Sequence, residues 1–203
     1  MDYVTTLLTL AGVLLLSVAS PGPNFVIVTS TAVASRRAGV ATSIGLAAAS
    51  ATWALIATAG LGLVLSHVSW IDTVLRTAGA IYLIWLGVKM IVTARRPLVV
   101  ENKAVTSDWN AAKKGYFVSM TSPKSMAFYG SVFALLVPPH APMWFGVTLV
   151  ALAAAISLSW YGGLALLASQ PAVSRLLVRR KATLEATAGV ALVALGGRML
   201  ASR

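Results

Sequence analysis

The sequence predicts an all-α integral membrane protein, and three observations carry that prediction: the length of the apolar runs, the scarcity of charge, and the places where charge does occur. Of 203 residues, 58% are hydrophobic and 10% charged. A soluble domain carries about 25% charged and 45–50% apolar residues. Mean hydropathy is +0.85, too apolar for a surface that faces water. A helix needs ~20 apolar residues to cross a hydrocarbon core ~30 Å thick. Six crossings therefore use most of the chain and leave short loops with no room for a soluble domain.

The runs follow in order. The first is Val4 to Leu16, continuing past Pro21-Gly22-Pro23 to Ala34. Ser17-Val18-Ala19 resembles a leader cleavage site, but the start Met1-Asp2 lacks the basic region of a leader. The segment is therefore read as a retained helix interrupted by Pro-Gly-Pro. The second run is Val40 to Ser66 and the third about Ile71 to Val92, followed by a polar segment, 95–114. The fourth run, Gly115 to Val137, is interrupted at Ser122-Pro123-Lys124. Pro138-Pro139-His140-Ala141-Pro142 makes a rigid turn before the fifth run, Met143 to Ala168. A basic loop precedes the sixth run, Thr183 to Ala201.

Charge alternates between loops. Eleven of the 16 basic residues fall in the first, third and fifth: Arg36 and Arg37, then Arg95, Arg96, Lys103, Lys113 and Lys114, then Arg175, Arg179, Arg180 and Lys181. Lysine and arginine stay on the cytoplasmic side, so these loops face the cytoplasm and both termini face out. Arg198 and Arg203 pull weakly the other way, and five spans with a re-entrant segment is the competing topology. The net charge of +11 is thus topological. It is not interleaved with aromatics on one surface, as a nucleic-acid partner would require. The absence of cysteine excludes disulfides and thiol chemistry, and His67 and His140 lie far apart in loops. No metal, no cofactor and no catalytic cluster is expected.

The chain reads as one transmembrane domain, 1–203, with an internal repeat. Ser20-Pro21 recurs as Ser122-Pro123, and Thr77-Ala78-Gly79 with Gly87 recurs as Thr187-Ala188-Gly189 with Gly197. Repeat one covers about 1–95, a cytoplasmic linker about 96–113, and repeat two about 114–203. Three spans per repeat is an odd number, so the halves enter the membrane from opposite sides, a common plan of secondary transporters. Short matches between alanine-rich helices also arise by chance.

A proline inside a helix removes a donor and clashes with the preceding turn, at a cost of ~3 kcal/mol. In lipid such a break survives only where protein buries it or water reaches it. Two breaks at matching repeat positions point to a binding site near the midplane. The half-helix after Pro21, Gly22 and Pro23 has free amides and a positive dipole end, suited to a carboxylate. Asn24 adds a side-chain amide. Lys124, after Ser122-Pro123, has three alternatives: a substrate carboxylate, Glu185, or the cytoplasmic headgroups by snorkelling. Asp72 and Glu185 precede the last helix of each repeat, and either could carry a coupling proton. Arg76 and Lys181, each at i±4 spacing, are the alternative partners. The aromatic pairs Tyr82/Trp85 and Trp160/Tyr161 line a cavity, pack the core or sit in an interfacial belt. Glycines 39, 45, 60, 62, 79, 87, 189, 196 and 197 allow close helix contact.

On these residues the chain resembles the LysE/RhtB family of amino-acid exporters over nearly its whole length. The resemblance rests on Ser20-Pro21-Gly22-Pro23-Asn24-Phe25, on 79–87 (Gly-Ala-Ile-Tyr-Leu-Ile-Trp-Leu-Gly) and on Thr121-Ser122-Pro123-Lys124-Ser125. Gly130-Ser131-Val132-Phe133 and Ser159-Trp160-Tyr161 lean toward the threonine and homoserine branch. There are departures: Ser122 stands where the family has asparagine, and Ile156-Ser157-Leu158-Ser159 lacks the acid common in the fifth helix. Glu185 keeps an acid at the start of the sixth. The resemblance implies export of a small amino acid driven by proton entry, in the inner membrane, with a homodimer as one admissible assembly. The scarcity of acids favours a neutral substrate. The alternatives are a basic or branched-chain amino acid, another solute, or a non-transporting scaffold subunit. A membrane enzyme would need a nucleophile–base set that the chain lacks.

Overall fold

The computed structural model describes residues 3–20, 22–65, 69–95, 107–138 and 141–201. Among them the chain is all helix, in the order α1 (Tyr3–Ala19), α2 (Pro23–Ala34), α3 (Arg36–Leu65), α4 (Ser69–Thr93), α5 (Asp108–Met120), α6 (Pro123–Leu136), α7 (Met143–Ala168) and α8 (Pro171–Ala201). The first and fourth apolar runs are each split where the prolines stand, and α1 meets α2 at 58°. Within the described residues, Arg36–Ala59 and Met143–Ala168 are each long and apolar enough to cross a membrane, and α1 with α2 adds a third as a bent pair.

Helix boundaries differ from the hydropathy reading where polar residues are good helix formers. The basic loop expected before Thr183 is helical from Pro171 onward, because Pro suits the first helical position and Ala, Leu, Arg and Lys all favour helix. The first basic loop expected from the sequence shrinks to Ser35, since Arg36 and Arg37 already belong to α3. The polar linker ends at Ser107, whose hydroxyl accepts the Asn110 amide at 3.2 Å and caps α5.

Hydrophobic association counts for little between helices in lipid, so packing depends on close backbone approach. α4 packs chiefly on α8, and α3 on α5 and α7. A methyl group on Gly87 would stand 2.5 Å from the Gly189 carbonyl oxygen, and one on Gly196 would stand 2.8 Å from that of Ala80. Residue numbers rise along α4 as they fall along α8, so the pair is antiparallel with a glycine seam. Gly45 against Ala112, and Gly115 against Thr42, make the same kind of crossing between α3 and α5. Gly197 has open space beside it and does not serve the close contact expected of it. A core built on Leu10, Leu14, Leu83, Phe128, Phe133 and Leu149 fills the interior, and a second, around Phe25, Val28, Leu46 and Leu164, packs α2, α3 and α7. Side chains facing outward, such as Leu8, Ile44, Val92, Val147 and Val190, are apolar, as a lipid solvent demands.

Candidate functional site

The two helix breaks start alike and finish differently. In α2, Gly22 is the N-cap, extended at φ −165° and ψ −166°, and Pro23 opens the helix. The first turn closes with the Val26 amide on the Gly22 carbonyl at 3.0 Å. The amides of Asn24 and Phe25 therefore have no acceptor within the helix, and no side chain caps them. In α6, Ser122 is the N-cap and Pro123 opens the helix. There the Ser122 hydroxyl accepts the Ser125 amide at 3.4 Å. The second N-terminus is thus partly closed by its own side chain, and the first is open to an anion. Ser122 thus acts as the cap of α6.

Reciprocal bonds tie the breaks together. The Asn24 amide group, at the start of α2, donates to the Ser119 hydroxyl near the end of α5 at 3.2 Å. The Lys124 ammonium, at the start of α6, donates to the Ser17 and Ser20 carbonyls at the end of α1, at 3.2 and 3.4 Å. Each outgoing half-helix holds the incoming half-helix of the other break. Lys124 does not snorkel to a headgroup: its chain lies against Gly22, where an added methyl group would be 3.7 Å from Nζ. Trp53 from α3 donates to the Ser119 carbonyl at 3.4 Å and buttresses the same point.

Two cavities adjoin at this crossing. The inner one, ≈ 20 Å³, is lined by Gly22, Pro23, Asn24, Ser50, Ser119, Ser122, Lys124, Tyr129 and Tyr161, among others. A space of that size holds about one water. The outer one, ≈ 260 Å³, shares Ser20, Gly22, Pro23, Ser122 and Lys124 with it and adds Tyr82, Trp85, Lys89, Thr93 and Glu185, among others. Lys89 sits over the Trp85 ring, 4.7 Å from its centroid. Within the inner cavity, Asn24 Oδ1 and the Tyr129 hydroxyl are buried and make no close hydrogen bond, with Tyr161 beside Asn24 and Ser50 beside Tyr129 as their nearest polar neighbours. Unpaired buried polar atoms are costly, so two beside one cavity mark a place built for a polar guest.

The structure thus brings together Gly22, Pro23, Asn24, Ser122 and Lys124 in one pocket, with Tyr82 and Glu185 in the adjoining vestibule. Trp160 is elsewhere: it borders a ≈ 340 Å³ groove with Leu15, Ala155, Ile156 and Ser159, while its neighbour Tyr161 faces the pocket. Pro21 lies outside the described residues, as do His67 and His140 and the side chains of Asp72, Pro123 and Lys181. Sequence reasoning missed Ser50, Ser119 and Tyr129. Each is a polar residue in an otherwise apolar run, which was the available signal.

Comparison with known proteins adds an independent line. The family model for LysE type translocators matches residues 5–203. The threonine efflux protein of Escherichia coli strain K12 is 29% identical over 201 residues, covering 97% of this chain and 98% of that protein. The threonine efflux protein of Salmonella typhi is 29% identical over 206 residues, covering 96% and 97% respectively. A leucine efflux protein of Klebsiella pneumoniae is 29% identical over 143 residues, covering 70% of this chain and 66% of its own length. No solved structure matches the chain.

Proposed function

The chain belongs to the LysE family of translocators, and from that premise we propose that it exports a small neutral amino acid of the threonine or homoserine kind across the inner membrane, in exchange for protons. The observation that carries this reading is the inner pocket at the crossed breaks, where the uncapped N-terminus of α2 stands beside the unpaired Asn24 Oδ1 and Tyr129 hydroxyl. Carboxylate goes to the Asn24 and Phe25 amides and to the remaining N–H of Lys124. The α-ammonium goes to acceptors such as Asn24 Oδ1. The pocket is lined by hydroxyls and an amide rather than a carboxylate, which suits a neutral side chain better than a basic one. Pro21 and Pro123 belong to the site as the residues that break the helices.

Six spans in two inverted repeats, 1–95 and 114–203, frame the pocket, with the linker 96–113 in the cytoplasm. The antiparallel α4–α8 seam and the reciprocal locks support that symmetry. Glu185, buried in the vestibule, carries the coupling proton; Asp72 is the second candidate for that role. The halves rock to expose the pocket to either side. Proteoliposomes loaded with labelled threonine, homoserine, leucine or lysine test the whole reading. An imposed proton gradient is expected to drive out the first two. Efflux of leucine alone would move the substrate to the branched-chain class, and no flux of any amino acid would refute export.

A further inference from the structure

We propose that the carbonyl end of α1 is a monovalent-cation site, and that Lys124 fills it permanently with the protein's own ammonium. A broken helix exposes its last carbonyls as well as its next amides, and the C-terminal end carries negative partial charge. In carriers with discontinuous helices, unwound carbonyls and half-helix C-termini coordinate sodium. Here the Ser17 and Ser20 carbonyls converge on one cation, Lys124 Nζ, at 3.2 and 3.4 Å.

The placement of Lys124 itself argues for this role. It is the second residue of α6, where the positive dipole end disfavours a cation. The side chain crosses to the other break, over Gly22, and puts its charge at the helix end of opposite sign. Glu185 and Lys89 are the other charged groups bordering the vestibule that Lys124 shares. An ammonium at this point balances the carbonyls and Glu185 without an ion drawn from solution. The carrier therefore needs no sodium to hold its first break together. This assignment is independent of which solute is carried, because it is read from stability rather than flux.

Lys124→Ala vacates the site. Purified in detergent, the wild type is expected to melt at the same temperature in sodium and in N-methylglucamine chloride. Lys124→Ala is expected to melt several degrees lower in N-methylglucamine and to recover much of that loss in sodium or in methylammonium. The recovery should persist in Lys124→Ala/Glu185→Gln, which separates the carbonyl site from the carboxylate. The chain has no cysteine, so Lys124→Cys offers a second route if the alanine variant does not fold. Alkylation with 2-bromoethylamine regenerates a lysine-length ammonium and should abolish the sodium effect; alkylation with iodoethane, which is neutral, should leave it. A Lys124→Ala or ethylated protein indifferent to all three cations would overturn the proposal. So would a sodium effect that vanishes with Glu185→Gln.

Discussion

At the scale of single residues, Asn24 joins the lock to the proposed ligand site. Its Nδ2 is committed to Ser119, and its Oδ1 is left without a partner in the pocket. Asn24→Leu keeps the size of the side chain but removes both functions. A buried polar group that loses its partner costs about 1–3 kcal/mol, equivalent to about fivefold or more in binding. Export measured in vesicles should fall by at least that factor, with protein abundance in the membrane retained. Thr52→Val is the matched control. It removes the Thr52–Tyr116 contact at 3.4 Å, which joins α3 to the same α5 outside the pocket, and export should persist. Glu185 makes a different prediction, since its proposed task is coupling. Glu185→Gln should abolish efflux driven by a proton gradient while leaving exchange of labelled for unlabelled substrate. Equal loss of both activities would move Glu185 out of the coupling role. Much of this site was readable in advance, because proline and lysine in an apolar run have few innocent explanations. Ser50, Ser119 and Tyr129 were not, because a hydroxyl in a membrane helix can bond its own backbone, as Thr42 and Ser43 do. Only the fold shows which ones face a cavity.

At the scale of helices, two kinds of contact set the geometry: locks at the breaks and glycine seams beside them. The seams were partly visible as glycines, but sequence cannot say which glycines face a neighbour. Gly87 and Gly189 face each other across α4 and α8, whereas Gly197, only eight residues further along α8, faces open space. A methyl group at Gly189 would come within 2.6 Å of the Gly87 carbonyl oxygen and 2.8 Å of an Ile91 side-chain carbon. Overpacking of this kind costs about 1–3 kcal/mol. Gly87→Ala and Gly189→Ala should each lower the melting temperature measurably in detergent, and Gly197→Ala should not. A null result at both seam positions would mean that α4 and α8 separate easily, contrary to their packing here. Helix ends were the other weak point of the sequence reading. Hydropathy began the second run at Val40 and the sixth at Thr183, but helix propensity is indifferent to charge, so α3 and α8 start earlier, at Arg36 and Pro171, and include their basic ends.

At the scale of the whole molecule, the two cavities describe one position of a cycle. The inner pocket, ≈ 20 Å³, is too small for an amino acid, and the ≈ 260 Å³ vestibule beside it leads toward the α4 end that bears Lys89 and Thr93. That end precedes the polar linker, which the charge distribution assigns to the cytoplasm. The proposed inverted symmetry makes this asymmetry informative. Two like halves around one site should offer two vestibules, and the one described here opens beside Lys89 and Thr93, while Leu10, Val132, Phe133 and Phe145 belong to the buried core. On the proposed topology this conformation faces inward with a contracted site, as an exporter needs when it collects cytoplasmic solute. The cysteine-free sequence permits a direct check. Thr93→Cys, at the vestibule, should react with a membrane-impermeant maleimide in inside-out vesicles and not in intact cells. Met143→Cys, at the exposed start of α7, should show the reverse pattern. Saturating transported amino acid should change the rate at Thr93→Cys by shifting the population of inward-facing molecules, and should leave Met143→Cys unaffected. Labelling of Thr93→Cys from outside would reverse the proposed topology. Labelling from the predicted side with no response to any transported amino acid would detach the vestibule from the transport cycle.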